Sequence, residues 1–402
     1  MSETHDVLII GGGLVGASLA IALDRLGLQV GLVEATPAGV MPAVFDQRNL
    51  SFARATVNAL TALGVMAKLR AATGPIRRIH VSRQGDFGRT RLEAADYGHE
   101  AFGQVVVARD FGEALEARLS ELRGLTRYRP ARFIALADAL TGSRTVRIAD
   151  VSGERELSAR LLVAADGSRS SVREALGIAA SEHDYLQTLF VARMRAEQAP
   201  DGSAYERFGE HGPTAVLPRG DRHFGVVHGV ARAQADAVAA EDDTAWIARI
   251  QQAFGWRVGR FLSTGARSAY PIVKIVAERV VDARAVVLGN AAQTLHPIGA
   301  QGFNLGLRDA LTLAELIGQG QDPGAAALLD AYAQRRREDR RLTLEFSDGL
   351  ARVTGNASPL LRPLRSLGLM AADQSQALQS MLVGGAMGFR GQVPALCREA
   401  RS

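Results

Sequence analysis

The sequence predicts an α/β fold with three parts: a parallel-sheet domain, an antiparallel β-sheet inserted into it, and a helical C-terminal tail. Near the start of the chain a short apolar run passes through a glycine turn into a helical pattern, which is typical of a buried parallel strand and its crossover helix. A β-rich stretch at 181–277 interrupts this domain, and a strand, a glycine-rich loop and a helix follow at 285–309. Beyond residue 350 the patterns are helical.

The composition is that of an ordinary globular protein, with 47% apolar and 22% charged residues. The single cysteine, Cys397, excludes a disulfide framework and a cysteine zinc site, and it predicts a reducing compartment. No apolar run approaches the ~18 residues that span a bilayer. The start, MSETHDVLII, lacks a basic segment and reaches strand-like residues at once, so we expect no secretory signal and a cytoplasmic protein.

The formal net charge of +5 and the isoelectric point near 9.8 come mainly from dispersed arginines. The densest arginine cluster, at 335–341, has acidic residues among its arginines, as on a solvated helix face. This pattern does not predict nucleic-acid binding, which uses a basic patch or stripe. Attraction to an anionic membrane surface is the more useful interpretation of the charge.

The first motif is a glycine turn directly after the apolar run Val7–Ile10. Its glycines have the spacing Gly-x-Gly-x-x-Gly and are Gly11, Gly13 and Gly16. Such glycines make a tight turn, let the backbone approach a pyrophosphate and let helix and strand pack closely. A helical pattern and a second apolar run follow, and this run ends in Glu34, which is placed to accept the hydroxyls of an adenosine ribose. The sequence therefore predicts a Rossmann-like dinucleotide site.

Two arginines and an Asp-Gly pair lie between this motif and the β-rich stretch. Arg48 precedes a predicted helix at 51–63, and Arg109 ends a predicted strand. Composition alone favours ordinary surface positions for both arginines. Further on, predicted strands lead to Asp166-Gly167, which in isolation favours a simple strand-to-helix turn.

The segment 285–309 joins an apolar strand to a helix through a glycine-rich loop. Gly289 and Asn290 follow the strand, and the pair His296-Pro297 begins the loop. In isolation the glycines are consistent with an ordinary connection. They also permit unusual backbone dihedrals and close approach of a ligand to the backbone.

In order and spacing, these three motifs resemble those of the single-component FAD-dependent aromatic hydroxylases, the group A flavoprotein monooxygenases, over residues 5–345. Within that family, Asn290 and Gln293 are most similar to the 2-polyprenyl-6-methoxyphenol hydroxylases of ubiquinone biosynthesis, because other hydroxylases of the pathway typically read GDAAH there. The loop departs from the family in reading Gly299-Ala300, where relatives commonly have alanine and then glycine.

The resemblance implies FAD as the cofactor, with NAD(P)H or another electron donor and O2 as co-substrates. It also implies that the first glycine turn holds the pyrophosphate, that Glu34 holds the adenosine ribose and that Asn290 replaces an aspartate that binds the ribityl chain. An amide both donates and accepts hydrogen bonds, so this replacement is compatible with binding. The implied cofactor-binding residues are Gly11, Gly13, Gly16, Glu34, Arg48, Arg109, Asp166, Gly167, Gly289, Asn290, Pro297, Gly302, Phe303 and Asn304.

The reaction that the resemblance implies is hydroxylation of a polyprenylated methoxyphenol. Reduced flavin and O2 form a C4a-hydroperoxide, and the electron-rich phenol attacks its distal oxygen. The protein supplies positioning, exclusion of water and help in ionising the phenol, and no metal is required. For His296 a loop-holding role is favoured over acid–base work, and the catalytic base stays unassigned.

The predicted domains follow from the same resemblance. The FAD-binding domain is discontinuous and takes 1–75, 100–180 and 278–350. The β-rich substrate domain takes 76–99 and 181–277, and the helical tail takes 351–402. Within the tail, Leu360–Met387 and its flanking arginines predict one of two things: a surface for the membrane or other ubiquinone-biosynthesis proteins, or ordinary packing on the FAD-binding domain. The first alternative implies a cytoplasmic protein at the periphery of the inner membrane.

Other functions stay open at this point. A sibling hydroxylase that acts at another ring position, a prenyl-lipid reductase and a non-catalytic FAD-binding assembly subunit are each compatible with the motifs. A halogenase is not, because Trp246 and Trp256 do not form its Trp-x-Trp-x-Ile-Pro signature. An NAD-dependent dehydrogenase is not favoured either, because the Asp-Gly and Gly-Asn segments do not belong to its plan.

Overall fold

The computed structural model describes residues 3–137, 142–355 and 362–398. In these residues the strands form sheets of eight, nine and three strands. Helices connect the strands of the first sheet and also make up the C-terminal region. The predicted α/β fold, with its inserted antiparallel sheet and helical C-terminal region, is confirmed.

The strands, in chain order, are β1 (Glu3–Ile10), β2 (Val30–Val33), β3 (Asn49–Ala53), β4 (Gly74–Ile76), β5 (Arg78–Arg83), β6 (Arg89–Glu93), β7 (Gly103–Val107), β8 (Leu125–Tyr128), β9 (Ala131–Ala137), β10 (Arg144–Asp150), β11 (Gly153–Ala164), β12 (Ala180–Ala196), β13 (Ser203–Gly209), β14 (Gly212–Pro218), β15 (Phe224–Ala231), β16 (Phe261–Thr264), β17 (Ser268–Ala277), β18 (Val281–Asp282), β19 (Ala285–Val287) and β20 (Gln293–Thr294). The helices are α1 (Leu14–Asp24), α2 (Arg54–Ala62), α3 (Ala108–Leu119), α4 (Ser171–Ala175), α5 (Ala235–Ala239), α6 (Asp243–Phe254), α7 (Gln301–Ile317), α8 (Ala326–Gly355), α9 (Arg362–Gln374) and α10 (Gln376–Ala386).

The first sheet has the strand order β18-β19-β11-β1-β2-β8. Strand β1 pairs in parallel with β2 and with β11, and β11 pairs in parallel with β19. The last four residues of β1 and all of β2 are buried, as expected of parallel strands covered on both faces. Strands β9 and β10 extend β11 as an antiparallel ribbon.

The second sheet is mainly antiparallel and has the order β20-β17-β12-β15-β14-β13-β5-β6, with β16 beside β12. It packs against α6, where Trp246, Ile250 and Phe254 are fully buried at helical spacing. One parallel pair, β13 with β5, joins two distant parts of the chain in this sheet. The strands thus come from 78–93, 180–277 and 293–294, and the exact domain boundaries stay a prediction.

One helix begins later than the sequence predicts. Residues 51–53, predicted as the first turn of a helix, belong instead to β3, which pairs with β7 in the three-stranded sheet. Within β3, Phe52 is fully buried and packs edge-on against Phe111 of α3, with the ring centroids 4.8 Å apart. Pairing and burial against distant elements therefore override the local helical pattern.

A buried ion network joins α7 to α8. Arg308 donates a hydrogen bond to Asp339 at 2.7 Å. Arg336 donates to Asp309 at 2.7 Å and to Asp339 at 2.8 Å. All four side chains are at most 4% exposed. Burial alone would raise the pKa of Asp339, but the two arginines lower it below its usual value, so the carboxylate is charged and paired.

We predict that Asp339→Ala lowers the free energy of unfolding by about 3–5 kcal/mol, because it leaves Arg308 buried without its partner. Denaturant titration followed by circular dichroism measures the change. Asp330→Ala, at an exposed position on the same helix, is the matched control and should change the free energy by less than about 0.5 kcal/mol. Equal effects of the two substitutions would show that the network does not stabilise the fold.

The C-terminal region contacts two parts of the molecule. The Arg91 N–H of β6 donates to the Asp373 carboxylate of α9 at 2.7 Å, and Asn58 of α2 donates to the Cys397 carbonyl at 3.1 Å. The tail therefore packs on the second sheet as well as on α2. Leu360, at the start of the predicted surface segment, lies outside the described residues. Within the described part of the chain, no helix combines the length and apolarity needed to cross a membrane.

Candidate functional site

The predicted motifs meet where the parallel strands of the first sheet end. Ile10, the last residue of β1, lies beside Val33 of β2 and Ala164 of β11. Ala164 in turn lies beside Val287, the last residue of β19. The three glycine-containing turns and the acidic residue after β2 therefore begin at one edge of the sheet. In open parallel sheets, ligands bind at this carboxyl edge.

Two glycines of the first motif are required by close backbone contacts. A Cβ on Gly16 would lie 2.0 Å from the Gly11 carbonyl oxygen, and a Cβ on Gly11 would lie 2.4 Å from the Ala165 carbonyl oxygen. Gly11 also has a φ of 107°, which residues with a side chain rarely adopt. The first turn is therefore packed directly on the end of β11, where the Asp-Gly pair begins.

Val15 brings the first and third motifs together. A Cβ on Gly289 would lie 2.9 Å from Val15 Cγ2, and a Cβ on Gly306 would lie 2.8 Å from the same atom. Helix α1 therefore rests on both the Gly289 turn and α7 at a separation that only glycine permits. As a result, the backbone of all three motifs converges on one place.

Glu34 is held against the glycine turn. One of its carboxylate oxygens accepts the Gly12 N–H at 2.9 Å, and the other accepts the Thr36 N–H at 2.7 Å. Each carboxylate oxygen has two acceptor sites, so both oxygens keep capacity for the hydroxyls of a ribose. The position of Glu34 fits the role predicted for it.

Asp166 forms a strand-to-helix turn. Its carboxylate accepts hydrogen bonds from the Ser170 hydroxyl and from the Val172 N–H, the latter at 3.2 Å, and Ser170 caps α4 by accepting the Arg173 N–H at 2.9 Å. Gly167 has a φ of 90°, and no atom lies within 4 Å of the place where its Cβ would be. The pair thus does what its sequence favours in isolation, and its contact with a cofactor stays a prediction.

Backbone hydrogen bonds bring the two predicted arginines together. The Ala108 N–H donates to the Arg48 carbonyl, and the Arg109 N–H donates to the Asp46 carbonyl, both at 2.9 Å. The Arg48 guanidinium pairs with Asp46 and lies 4.3 Å from the centre of the Tyr270 ring. Arg48 is therefore held in place, whereas Arg109 is an exposed side chain in the first turn of α3.

The departure of the loop from its relatives has a simple structural basis. Gly299 has a φ of 70° and Ala300 a φ of 51°, so both residues are in the left-handed region. A residue with a Cβ costs roughly 1–2 kcal/mol in that region. Exchanging glycine and alanine moves this cost from one left-handed position to the next, so the exchange is close to neutral for the loop.

His296 holds the glycine-rich loop. Its Nδ1 accepts the Ile298 N–H at 3.3 Å, which leaves Nε2 to donate to the Gln187 side-chain oxygen at 3.1 Å. Burial lowers the pKa of His296 to about 4, although Asp348 opposes the shift, so the ring is neutral at pH 7. These contacts are those of a residue that fixes a loop.

Asn304 uses its whole side chain inside the protein. Its oxygen accepts the Ala53 N–H at 2.9 Å and the Thr56 hydroxyl at 2.7 Å. Its amide nitrogen donates to the Ser51 carbonyl at 2.9 Å and to the Ala300 carbonyl at 2.7 Å. Asn304 therefore ties α7 to β3 and α2, and only its backbone is left for a cofactor.

The first turn of α7 offers backbone groups and open space. The Phe303 ring lies in the core, with its centroid 5.4 Å from that of Phe52 and 5.2 Å from that of Phe111. No atom lies within 4 Å of the place where a Gly302 Cβ would be. Pro297, just before this turn, is exposed. Because the first N–H groups of a helix have no partner within it, this turn is suited to an electron-rich ligand.

The two residues that distinguish the third motif lie in different environments. Asn290 is exposed directly after the Gly289 turn. Gln293 is buried: its amide nitrogen donates to Asp309 and its oxygen accepts from Arg340, both at 2.7 Å. Gln293 therefore connects the start of the loop to the ion network of α7 and α8.

A cavity of about 640 Å³ lies between the loop, the second sheet and the C-terminal helices. Its walls are mainly apolar and include Val81 and Phe208 of the sheet, Leu369 of α9 and Leu382 of α10. Residues 299–301 of the loop border it. The described residues contain no group of three or more His, Cys, Asp or Glu side chains arranged to hold a metal.

One ionisable side chain in the cavity wall was not predicted from the sequence. Glu206 of β13 lies between Val81 of β5 and Ala215 of β14. Burial raises the pKa of Glu206 to about 7, while the Gly299 N–H, which donates to the carboxylate, opposes the shift. The only signal in the sequence is a carboxylate on an otherwise apolar strand face, and that face could not be located without the sheet.

The glycine turns at one sheet edge and the apolar cavity beside them define an FAD-dependent aromatic hydroxylase. The family model described as the FAD binding domain matches residues 4–347, and the chain belongs to this family. It is a flavoprotein monooxygenase that uses FAD, with NAD(P)H or another electron donor and O2 as co-substrates.

Comparison with individual proteins agrees with this assignment. Over 391 residues the chain is 34% identical to the ubiquinone hydroxylase UbiL of Rhodospirillum rubrum, which covers 96% of this chain and 90% of the relative. It is 28% identical to the 3-demethoxyubiquinol 3-hydroxylase of Escherichia coli, with 96% and 100% covered. The crystal structure of p-nitrophenol 4-monooxygenase PnpA from Pseudomonas putida DLL-E4 superposes with a TM-score of 0.77 at 19% identity, covering 98% of this chain and 100% of that chain.

The residues at the sheet edge fit FAD. The turn at Gly11 has no room for a side chain on its inner side, Glu34 keeps acceptor capacity, and Gly302 has free space around it. Exposed Asn290 adds an amide donor and acceptor directly after the Gly289 turn. The individual contacts of these residues with FAD stay a prediction.

Gly302→Ala tests the predicted contact between α7 and the flavin. The added methyl group meets no protein atom, so we expect the fold to be at least as stable as before. FAD should bind about tenfold more weakly, which corresponds to about 1.4 kcal/mol, because the methyl would occupy the space of the ring. Titration of the apoprotein with FAD, followed by flavin fluorescence, measures the affinity.

The matched control is Gly349→Ala on α8, because its Cβ would also meet no atom within 4 Å. This substitution should leave FAD affinity unchanged. If Gly302→Ala binds FAD as tightly as the control does, Gly302 does not belong to the cofactor site.

Proposed function

We propose that this enzyme hydroxylates the aromatic ring of a polyprenylated phenol in ubiquinone biosynthesis. The observation that carries the proposal is the apolar cavity of about 640 Å³, which residues 299–301 border at the predicted flavin side. Its volume falls within the ~300–1,000 Å³ typical of small-molecule sites, and its walls suit a hydrocarbon tail. The relatives named as a ubiquinone hydroxylase and a 3-demethoxyubiquinol 3-hydroxylase support the same class of substrate.

In this proposal the cofactor supplies the redox chemistry: FAD, reduced by NAD(P)H, activates O2 so that one oxygen atom goes to the ring and the other to water. The chain positions the phenol head against residues 299–301. Leu369 and Leu382 place apolar surface around the start of the prenyl tail. Helices α9 and α10 close this wall and keep water from the reacting centre.

At a finer level we propose 2-polyprenyl-6-methoxyphenol as the substrate, on the basis of Asn290 and Gln293. Hydroxylation at another ring position is the alternative, because the cavity as described would accept either phenol. A non-catalytic FAD-binding assembly subunit is the alternative from a different class. Two measurements separate these three functions.

The first measurement is hydroxylation by the purified enzyme. With a short-tailed 2-prenyl-6-methoxyphenol in detergent, NAD(P)H and ¹⁸O₂, we expect a product with one labelled oxygen atom. An assembly subunit would neither oxidise NAD(P)H nor label the phenol.

The second measurement is the identity, by mass spectrometry, of the precursor that accumulates when the gene is deleted. Accumulation of a different phenol would assign the enzyme to another ring position.

We also propose that the enzyme takes its substrate from the surface of an anionic bilayer through the tail helices. Leu369 and Leu382 line the cavity, whereas Leu367, Met370 and Met381 of the same helices are 55%, 44% and 62% exposed. Helices α9 and α10 therefore carry apolar side chains on both the cavity side and the outer side. This arrangement suits passage of a prenyl tail between a membrane and the cavity.

The turn between β5 and β6 extends this outer surface. Phe87 is 72% exposed, and its N–H donates to the Ser366 hydroxyl of α9 at 3.3 Å. Arg89 and Arg91 of β6 are exposed and alternate along the strand with residues that line the cavity. Exposed apolar side chains flanked by arginines are the combination that binds anionic lipid surfaces.

On the side opposite the cavity, the second sheet is basic at the end that carries the turn between β5 and β6. The strand register places Arg89, Ser82 and Arg207 in one row across β6, β5 and β13. Burial lowers the pKa of the neighbouring His80 to about 4, and Arg257 and the two arginines of β6 lower it as well. No acidic side chain forms an ion pair with these arginines in the described part of the chain. The positive charge is therefore available to an anionic partner.

We predict that the double substitution Phe87→Ser and Met381→Ser weakens binding to vesicles that contain phosphatidylglycerol by about tenfold or more, because it removes two of the most exposed apolar side chains of this surface. Co-sedimentation at low salt measures the binding. Val151→Ser, which changes an 86% exposed residue in the turn after β10, is the control and should leave binding unchanged. Undiminished binding of the double variant would show that this surface does not meet the bilayer.

A further inference from the structure

We propose that Glu206 is a catalytic residue of the hydroxylation: its carboxylate takes the proton of the phenol hydroxyl and so makes the ring a phenolate. The inference rests on the proposed function, because it requires a phenol in the cavity beside the loop. It adds the acid–base group that the three sequence motifs do not supply.

The position of Glu206 follows from the alternation of β13. Ala204, Glu206 and Phe208 face the cavity, and the residues beside Glu206 on the neighbouring strands are Val81 and Ala215. All of these neighbours are apolar. A half-buried carboxylate in such a surface is costly, since removing a charged group from water without a partner is unfavourable, and this cost points to a function for Glu206.

Glu206 has no counter-charge. None of the ion pairs between described residues includes it, and its carboxylate accepts the backbone N–H of Gly299. The other charged side chain of the cavity wall, Arg48, pairs with Asp46, and the neutral Tyr270 donates its hydroxyl to the same carboxylate. Burial raises the pKa of Glu206 to about 7, close to the working range of a general base at neutral pH.

The contact with Gly299 puts the carboxylate next to the loop. Residues 299–301 border the cavity on the side where the first turn of α7 has room for the flavin ring. A phenol whose reacting carbon faces that turn would have its hydroxyl close to Glu206. His296 does not compete for this role, because its pKa of about 4 makes it a weak base and both of its ring nitrogens are used to hold the loop.

The proposed step accounts for every proton that is removed or added. The phenol O–H bond breaks, the proton goes to a carboxylate oxygen of Glu206 and the electron pair stays on the phenolate oxygen, which activates the ring for attack on the oxygen that FAD, NAD(P)H and O2 provide. Oxygen transfer leaves a ring carbonyl. When the ring carbon then loses its hydrogen as a proton to water, Glu206 returns its proton to the carbonyl oxygen, and the aromatic ring and the free carboxylate are restored.

A purely structural role for Glu206 predicts a different result. In that case the carboxylate serves only to accept the Gly299 N–H and hold the loop. Glutamine has the same shape and also accepts an N–H, so Glu206→Gln keeps the loop contact and removes only the ability to take a proton. This substitution therefore separates the two roles.

The experiment compares wild-type holoenzyme, Glu206→Gln and the control Glu210→Gln, an exposed position in the turn after the same strand. The probe is a short-tailed 2-prenyl-6-methoxyphenol. At pH 8 we expect Glu206→Gln to lower kcat by about 10²–10³-fold, the range lost with a general base, while FAD content and the KM for NAD(P)H stay unchanged. The wild-type kcat should fall as the pH drops through about 7, because the carboxylate becomes protonated, and the variant should lack this limb.

A prenylated nitrophenol gives an independent readout, because its ionised form is yellow. Bound to the wild-type enzyme at pH 7, it should be ionised to a greater extent than when bound to Glu206→Gln. A variant with the wild-type kcat, pH profile and probe colour would overturn the inference and leave the proposed function intact. If the wild-type enzyme itself does not hydroxylate the phenol, the proposed function fails first.

Thermal melts test whether the variant is folded. They also test the raised pKa of Glu206, because it fixes the direction in which the Tm difference between variant and wild type changes with pH. The folded-state pKa of about 7 lies above the ordinary value of 4.5, so the folded protein binds the extra proton and the fold loses stability as the pH rises through this window. Glutamine does not titrate. The Tm of Glu206→Gln relative to wild type should therefore be higher at pH 8 than at pH 5, and a pH-independent difference would show that the pKa of the carboxylate is not raised in the folded protein.

Discussion

The whole site depends on how closely α1 can approach the turn at Gly289 and helix α7. Val15 occupies the space that side chains at Gly289 and Gly306 would need, at 2.9 and 2.8 Å. Through this contact the strand ends of the first sheet and the start of α7 become one surface, although their motifs are separated by more than 250 residues of chain. The inserted sheet can then place its cavity beside that surface, since the loop at 296–302 is held from both sides.

Charge is distributed in two contrasting ways around the site. Behind the loop, Arg308, Arg336, Asp309 and Asp339 are buried and joined by ion pairs, and Gln293 connects this network to the loop. In the cavity wall, Glu206 is half-buried and belongs to none of the ion pairs between described residues. Paired charges hold a framework in one arrangement, whereas an unpaired carboxylate keeps a proton exchangeable near neutral pH. The two arrangements serve positioning and chemistry respectively.

The fold class and the family were predictable because short, contiguous segments indicate them: an apolar run, a glycine turn and a helical pattern lie next to one another in the sequence. The start of α2 was not predictable, because Phe52 finds its partner in α3 and its strand in β7. Glu206 was missed for the same reason. Its surroundings are set by the register of β13 with β5 and β14, which no short segment of sequence contains.

The opposite faces of β13 carry opposite chemistry: Glu206 faces the apolar cavity, and Arg207 lies in the basic row on the other side. Since strand residues alternate between faces, inserting or deleting one residue would exchange the two and put a guanidinium into the substrate cavity. We therefore expect this strand to tolerate single substitutions but not insertions or deletions of one residue. In related enzymes that keep this cavity, we expect length variation to be confined to the turn at 210–211. The constant length of the strand would then fix which of its residues face the active site.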